Sequence, residues 1–175
     1  AYLSGTATDW WLRSPRTNLA DYVWDITPSG HSSGDGAPYS RGVRPALIMP
    51  YGAEVDSDNN ITGTVAKLKL SEMPVGSTVQ LNVNGAAKDF LIVHQGKPSS
   101  SYDDSCNGTW LLMADIYESR MWGNWPYNND YANSTIHPYL NSTFLNLFDS
   151  NIQKAIKQVK IPYRKNGGKG GTDQS

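Results

Sequence analysis

The chain has little with which to cross-link or charge itself. It holds one cysteine, Cys106, in 175 residues, so an internal disulfide is excluded. The charges nearest to it are Asp103 and Asp104, which would raise a thiol pKa, so Cys106 reads as a small buried hydrophobe and not as a nucleophile. Only 18% of residues are charged and the formal net charge is −1. That is below the usual quarter or so of charged residues, and it excludes the basic groove of a nucleic-acid binder and the basic patch of a membrane-surface protein. No apolar run approaches the ~18 residues of a membrane helix, so membrane insertion is not expected. No signal-peptide pattern is visible and no internal repeat occurs. The length allows one domain with a real core, or two small pieces.

Polarity is carried by Ser, Thr, Asn and Gly, which suits a loop-rich surface protein. Tyr (10) and Trp (6) far outnumber Phe (3). Both pair an apolar ring with a polar handle and serve cores and contact surfaces alike. Short strands are expected over Trp10–Arg13, stopped by Ser14-Pro15, and over Asp21–Ile26, with Tyr22, Trp24 and Ile26 on one face. Residues 28–38 are rich in Gly and Ser and read as a loop. Arg41–Met49 reads as one further strand, with Pro45 marking an edge or a bulge.

Asp56-Ser57-Asp58-Asn59-Asn60 is expected to be a tight turn between Glu54-Val55 and Ile61-Thr62. Asn84-Gly85, the strongest hairpin signal present, should join strands over Thr78–Val83 and Lys88–Val93. Trp110–Met113 reads as a short buried strand or the entry to a loop. The best helix begins at Asn133 or Ser134 with Pro138 in its first turn. Ile136, Leu140, Phe144 and Leu147 recur at helical spacing and form its apolar face. A second helix is capped by Asp149 or Ser150 and runs through Ile152 and Ile156. Val159–Tyr163 returns to strand, and residues 166–175 read as a mobile Gly-rich tail.

Motifs that carry chemistry are mostly lacking. His31, His94 and His137 stand far apart, without the spacing of metal ligands, so no metal site is expected. The Asp56–Asn60 run begins like a calcium loop, but Ile61 stands where the glycine belongs and Lys67 where the glutamate belongs. There is no Gly-x-Ser-x-Gly elbow, P-loop or dinucleotide fingerprint. Sequons begin at Asn60, Asn107, Asn133 and Asn141 and read as a consequence of composition. The candidate binding residues are Trp122, Asn124, Trp125, Tyr127, Asn128 and Tyr131, within Met121–Tyr131. Rigid aromatics there offer contact area at low entropic cost, and Asn and Gly offer adaptable hydrogen bonds. The alternative is that Trp122 and Trp125 plug a small core. Ser29–Tyr39 and Lys97–Asn107 are candidate neighbouring loops.

Trp10-Trp11-Leu12-Arg13-Ser14-Pro15, followed by Gly42-Val43-Arg44-Pro45-Ala46-Leu47, resembles the closing half of a bacterial and phage domain of unknown function. That domain belongs with the C-type-lectin-like folds, in the branch of the formylglycine-generating enzymes and tropism determinants. The Asn84-Gly85 hairpin ending in Phe90-Leu91-Ile92-Val93, and Tyr131–Ile136 leading into Tyr139-Leu140-Asn141, are similar to its opening half. The resemblance implies an α+β fold with a twisted antiparallel sheet, two helices and long loops. It makes Trp10, Trp11, Arg13 and Arg44 scaffold residues, with both arginines internally paired.

The halves stand in reversed order. Residues 1–50 correspond to the C-terminal-type half, 51–71 to a join, 72–165 to the N-terminal-type half and 166–175 to a tail. A circular permutant, a fragment of a tandem array and exchange of halves between chains all fit that order. The enzyme branch of the superfamily uses a cysteine pair, which this chain lacks, and the Glu-Pro-Asn or Gln-Pro-Asp calcium-lectin signature is absent.

The resulting expectation is a non-enzymatic module of a phage virion or bacterial surface protein that binds a protein or carbohydrate receptor, without a cofactor. The alternative is a structural or assembly module completed by half-domain exchange. It would be extracellular, on a cell or virion surface, as a homo-oligomer or beside neighbouring copies of itself.

Overall fold

Asn84 and Gly85 both adopt positive φ, 54° and 76°, the backbone of a type I′ turn, whose twist matches that of the strands it joins. The computed structural model containing this hairpin describes residues 1–17, 19–55, 61, 68–124, 129–164 and 172–174. The strands begin with β1 (Tyr2–Leu3), β2 (Thr6–Ala7), β3 (Trp10–Pro15), β4 (Tyr22–Ile26), β5 (Ser32–Gly36) and β6 (Ser40–Val43). They continue with β7 (Ala46–Met49), β8 (Glu54–Val55), β9 (Leu68–Lys69), β10 (Thr78–Val83), β11 (Ala86–Gln95) and β12 (Thr109–Met113). Then come β13 (Glu118–Met121), the short helices α1 (Ile136–Pro138) and α2 (Ser150–Ala155), and β14 (Pro162–Arg164) with β15 (Thr172–Gln174). The class is α+β, with mainly antiparallel sheets.

The chain divides into two compact units that interleave in sequence: residues 1–45, 115–142 and 162–175 form the first, and residues 46–114 and 143–161 the second. The first unit contains a five-stranded sheet in the order β13-β6-β3-β4-β5. Its one parallel pairing sets Trp10 beside Gly42. A Cβ on Gly42 would lie 2.7 Å from Ile116 Cδ1, so close packing on Ile116 explains the glycine of the Gly42–Leu47 motif. Trp11, Val23, Val43, Ile116, Trp122 and Ile136 are buried in this unit.

The second unit contains an antiparallel sheet in the order β10-β11-β12-β7. Alternation buries Val79, Leu81 and Val83 of β10 and Leu111 and Met113 of β12. Phe148 packs on Phe90 at 6.2 Å and on Phe144 at 5.4 Å between ring centroids. Buried Thr109 donates to Gln95 Oε1 at 2.7 Å, and Gln95 Nε2 donates to the carbonyls of Leu70 and Met73, so these polar groups are satisfied. Cys106 is buried and its thiol donates to the Lys160 carbonyl.

Several local expectations are corrected. Arg41–Met49 is not one strand. It breaks at Arg44-Pro45 into β6 and β7, which lie in different sheets, because Pro45 has no N–H for a ladder. Ser32–Gly36, expected in a loop, is a strand paired with β4 along its whole length. The inward face of β4 is Val23 and Asp25, while Tyr22, Trp24 and Ile26 are half-buried. Arg16 lies 5.1 Å over the Trp24 ring, so the outer apolar face is covered by a guanidinium. The helical segment is segmented into α1, a π-helical stretch Tyr139–Phe144 and a 3-10 turn Leu145–Leu147.

That wider turn moves the buried face to Ile136, Tyr139, Phe144 and Phe148, leaving Leu140 and Leu147 half-buried. Ser134 Oγ accepts from the His137 amide and acts as the cap. Strand β14 begins only at Pro162. Within the expected tail, Thr172–Gln174 pairs with β14, and the rest of that stretch lies outside the described residues, as does the Asp56–Asn60 turn. Val55 and Ile61, which flank the turn, form an antiparallel bridge.

Two substitutions measure these packings. Leu81→Ala should lower unfolding free energy by about 2–5 kcal/mol, the range for a buried leucine. Gly42→Ala should cost about 1–3 kcal/mol by overpacking. Urea denaturation reads both, and a neutral Gly42→Ala would show that the sheet yields at Ile116.

Candidate functional site

The stretch 121–131 leaves the end of β13 and is clamped at both ends within the first unit. Met121 is exposed, and the next residue turns inward: Trp122 is 1% exposed. Its amide donates to the Ala37 carbonyl at 3.0 Å. Its own carbonyl accepts from the Thr135 amide and hydroxyl at 3.0 and 3.1 Å. Its ring packs edge-on against Trp11 at 6.1 Å and tilted against Tyr131 at 5.7 Å. The Trp11 indole donates to the Arg120 carbonyl at 2.8 Å. Of the two readings open for Trp122, core plug and contact surface, its position is that of a core plug.

The far end is held by Asn129, fully buried. Its amide donates to the Ala20 carbonyl at 2.8 Å, and its side-chain Nδ2 reaches the carbonyls of Arg16, Leu19 and Tyr22 at 3.0–3.3 Å. One asparagine thereby satisfies the carbonyls of the β3–β4 connection. Asp130 follows and caps the turn Tyr131–Asn133, accepting from the Ala132 amide and from Asn133 Nδ2. Between the clamps Gly123 is buried and Asn124 is exposed. The candidates Trp125, Tyr127 and Asn128 lie outside the described residues. Residues 32–36 of the Ser29–Tyr39 candidate loop form β5, and its Ala37 receives the Trp122 amide. Lys97–Asn107 belongs to the other unit.

Tyr131 is half-buried, with the Arg13 guanidinium 4.7 Å from its ring centroid and the His137 ring edge-on at 4.9 Å. Burial pushes the Tyr131 phenol up, against the opposing pull of Arg13. Burial, and then the charge of Arg13, pushes the His137 imidazole down. The group therefore presents a neutral phenol, a neutral imidazole and one fixed cation at neutral pH. This is a set for stacking and hydrogen bonding. The motif arginines lie against aromatic faces: Arg44 is 4.4 Å over the Trp10 ring, as Arg13 is over Tyr131. Arg120 lies 3.7 Å from the centroid of the Tyr139 ring, whose phenol is held above its ordinary value by burial and then by Glu118.

A second constellation escaped the sequence reading. Asp9, Asp25 and Asp35 bring one carboxylate oxygen each within 4.8 Å of one another. Arg41 stands among them, ion-paired to Asp35, with its Nε 3.4 Å from Asp9 and 3.9 Å from Asp25. Asp25 is 2% exposed, and desolvation, then the neighbouring Asp9 and Asp35 charges, raise its pKa. The alternation of β4 places Asp25 beside Val23 on the buried face, opposite Tyr22, Trp24 and Ile26.

Linkage at His137 gives a testable pH dependence. A folded value below the ordinary imidazole value of about 6.5 means that the folded state binds fewer protons than the unfolded chain. The stability contributed by the neutral ring is complete above the unfolded value and is lost as pH falls through the folded one. His137→Gln should flatten the stability–pH curve between about pH 7 and pH 5. Thermal melts across that range check it, and parallel curves for the two proteins would contradict the assignment.

No curated protein and no solved structure matches the chain. One family model does, that of the Domain of unknown function (DUF6273), over residues 1–51 and 107–175. The matched segments contain the whole of the first unit, whereas the unmatched residues, the Asn84-Gly85 hairpin among them, belong to the second. With more than half of its residues matched, the chain belongs to the DUF6273 family.

Proposed function

We propose that the chain is a non-enzymatic binding module that presents the segment after Trp122 to a glycan or protein receptor, on a phage virion or a bacterial surface. The observation that carries this reading is the double clamp. Trp122 and Asn129 fix both ends of a short segment by buried contacts, and Asn124 between them faces solvent. Fixing the two ends of a segment reduces the entropy that it can lose on binding. Asn124, Trp125, Tyr127 and Asn128 supply the contact chemistry, and Tyr131 with Arg13 and His137 forms its support. Cys106, buried and donating to a carbonyl, fits a structural role better than a catalytic one.

The same reading places the chain among C-type-lectin-like folds with its halves in permuted order. Support comes from the first unit, in which residues 1–45 and 115–142 are joined. Within it Trp11 packs on Trp122, and Arg13 on Tyr131, of the same chain. These are the contacts that a self-contained module needs, in which case neighbouring copies would associate as finished units.

Asn124→Ala, Trp125→Ala and Tyr127→Ala should each weaken binding of the labelled chain on a glycan array or a panel of intact bacterial cells. Their melting temperatures should stay within roughly 2–4 °C of the parent, the shift that about 1 kcal/mol produces in a chain of this size. Trp122→Ala should instead cost about 3–5 kcal/mol. Binding that survives all three loop substitutions would refute the loop as the contact surface.

A further inference from the structure

The Asp9–Asp25–Asp35 constellation is unbalanced in charge and in hydrogen bonding. Three carboxylates share one guanidinium. Arg41 makes its close contact with Asp35, while its Nε, 3.4 Å from Asp9 and 3.9 Å from Asp25, makes no hydrogen bond. Asp25, with a side chain 2% exposed, keeps Oδ1 buried without a partner. An ionised carboxylate in that position is costly unless a cation completes its surroundings. Sheet pairing fixes two of the three carboxylates, since Asp25 stands opposite Trp11 on β3 and Asp35 opposite Val23 on β4, while Asp9 directly precedes β3 and its carbonyl accepts from the Gly42 amide.

Ligands that are all carboxylate oxygens select a hard divalent cation. Calcium binds oxygen at about 2.3–2.6 Å and accepts about six to eight ligands in flexible geometry. Separations within 4.8 Å bring the three carboxylates near enough for one such ion to gather them as Arg41, which stands among them, moves aside. Magnesium, at about 2.0–2.1 Å with strict octahedral geometry, tolerates such an irregular set less well. Asp9 and Asp35 are 29% and 24% exposed, which leaves access for the ion and for water to fill its remaining positions. We propose that Asp9, Asp25 and Asp35 form a calcium-class cation site in the first unit, with Arg41 as a counter-charge that balances it when the ion is absent.

The test uses the full chain freed of divalent ions. Isothermal titration with calcium chloride should show one ion per chain, with a Kd of about 0.1–1 mM, as in extracellular calcium modules. Calcium should raise the melting temperature more than equimolar magnesium does. Terbium should give luminescence excited through tryptophan, since Trp11 lies on the strand beside Asp25. Asp9→Asn and Asp35→Asn, at partly exposed positions, should each weaken binding at least about tenfold, and Asp25→Asn should abolish it. The two exposed variants keep the test readable if Asp25→Asn unfolds the chain. The proposal fails if several millimolar calcium produces neither heat nor a melting shift. It also fails if binding persists unchanged in Asp35→Asn, which would place the ion elsewhere, such as at Asp56–Asn60.

Discussion

The buried edge-on contact between Trp11 and Trp122 is what the first unit is built around. These residues stand far apart in sequence, one on β3 and one just past β13, and their rings meet at 6.1 Å. The Trp11 indole donates to the backbone at Arg120, which fixes the start of the 121–131 stretch relative to the sheet. Two buried indoles contribute several kcal/mol through area alone, at about 25 cal/mol per Å². The order of Tyr131, and through it of Arg13 and His137, follows from that contact. Polar clamping completes it: Asn129 Nδ2 gathers the backbone carbonyls of Arg16, Leu19 and Tyr22 around the β3–β4 connection.

The family match and the architecture divide the chain along similar lines. Residues 1–51 and 107–175 carry the family signal, and the first unit lies within them. The β10–β11 hairpin lies outside it, yet it supplies much of the core of the second unit. The part most easily read from sequence as structure is therefore not the part that carries membership. Two motifs within the matched residues are explained by packing: Gly42 has no room for a Cβ beside Ile116, and Arg13 and Arg44 lie on aromatic faces.

What was legible in the sequence was local. Asn84-Gly85 specified its turn because both residues tolerate positive φ, and β10 showed its inward face by plain alternation, whereas the continuous apolar run of β12 did not. Tyr22, Trp24 and Ile26 share a face as alternation indicated, but only the structure shows that the buried face is that of Val23 and a carboxylate. Ser32–Gly36 has no strand propensity of its own. It becomes a strand by pairing with β4, and Gly34 has no side chain where the Arg16 side chain passes. The apolar repeat over 136–147 was real, but a π-helical turn shifts its buried face, and a period of 3.6 cannot anticipate that.

By itself the sequence determined the hairpin and the lack of an internal disulfide, because one depends on neighbours in the chain and the other on composition, while the family resemblance implied the α+β class. It also marked 121–131 as chemically unusual. Tertiary structure decided which of its residues face inward: Trp122 is spent on the core and Asn129 on backbone carbonyls, while Asn124 stays in solvent. Only tertiary structure could assemble Asp9, Asp25, Asp35 and Arg41, which come from four separate segments. Charges that are unremarkable along the chain form a cluster only when strand pairing brings them together.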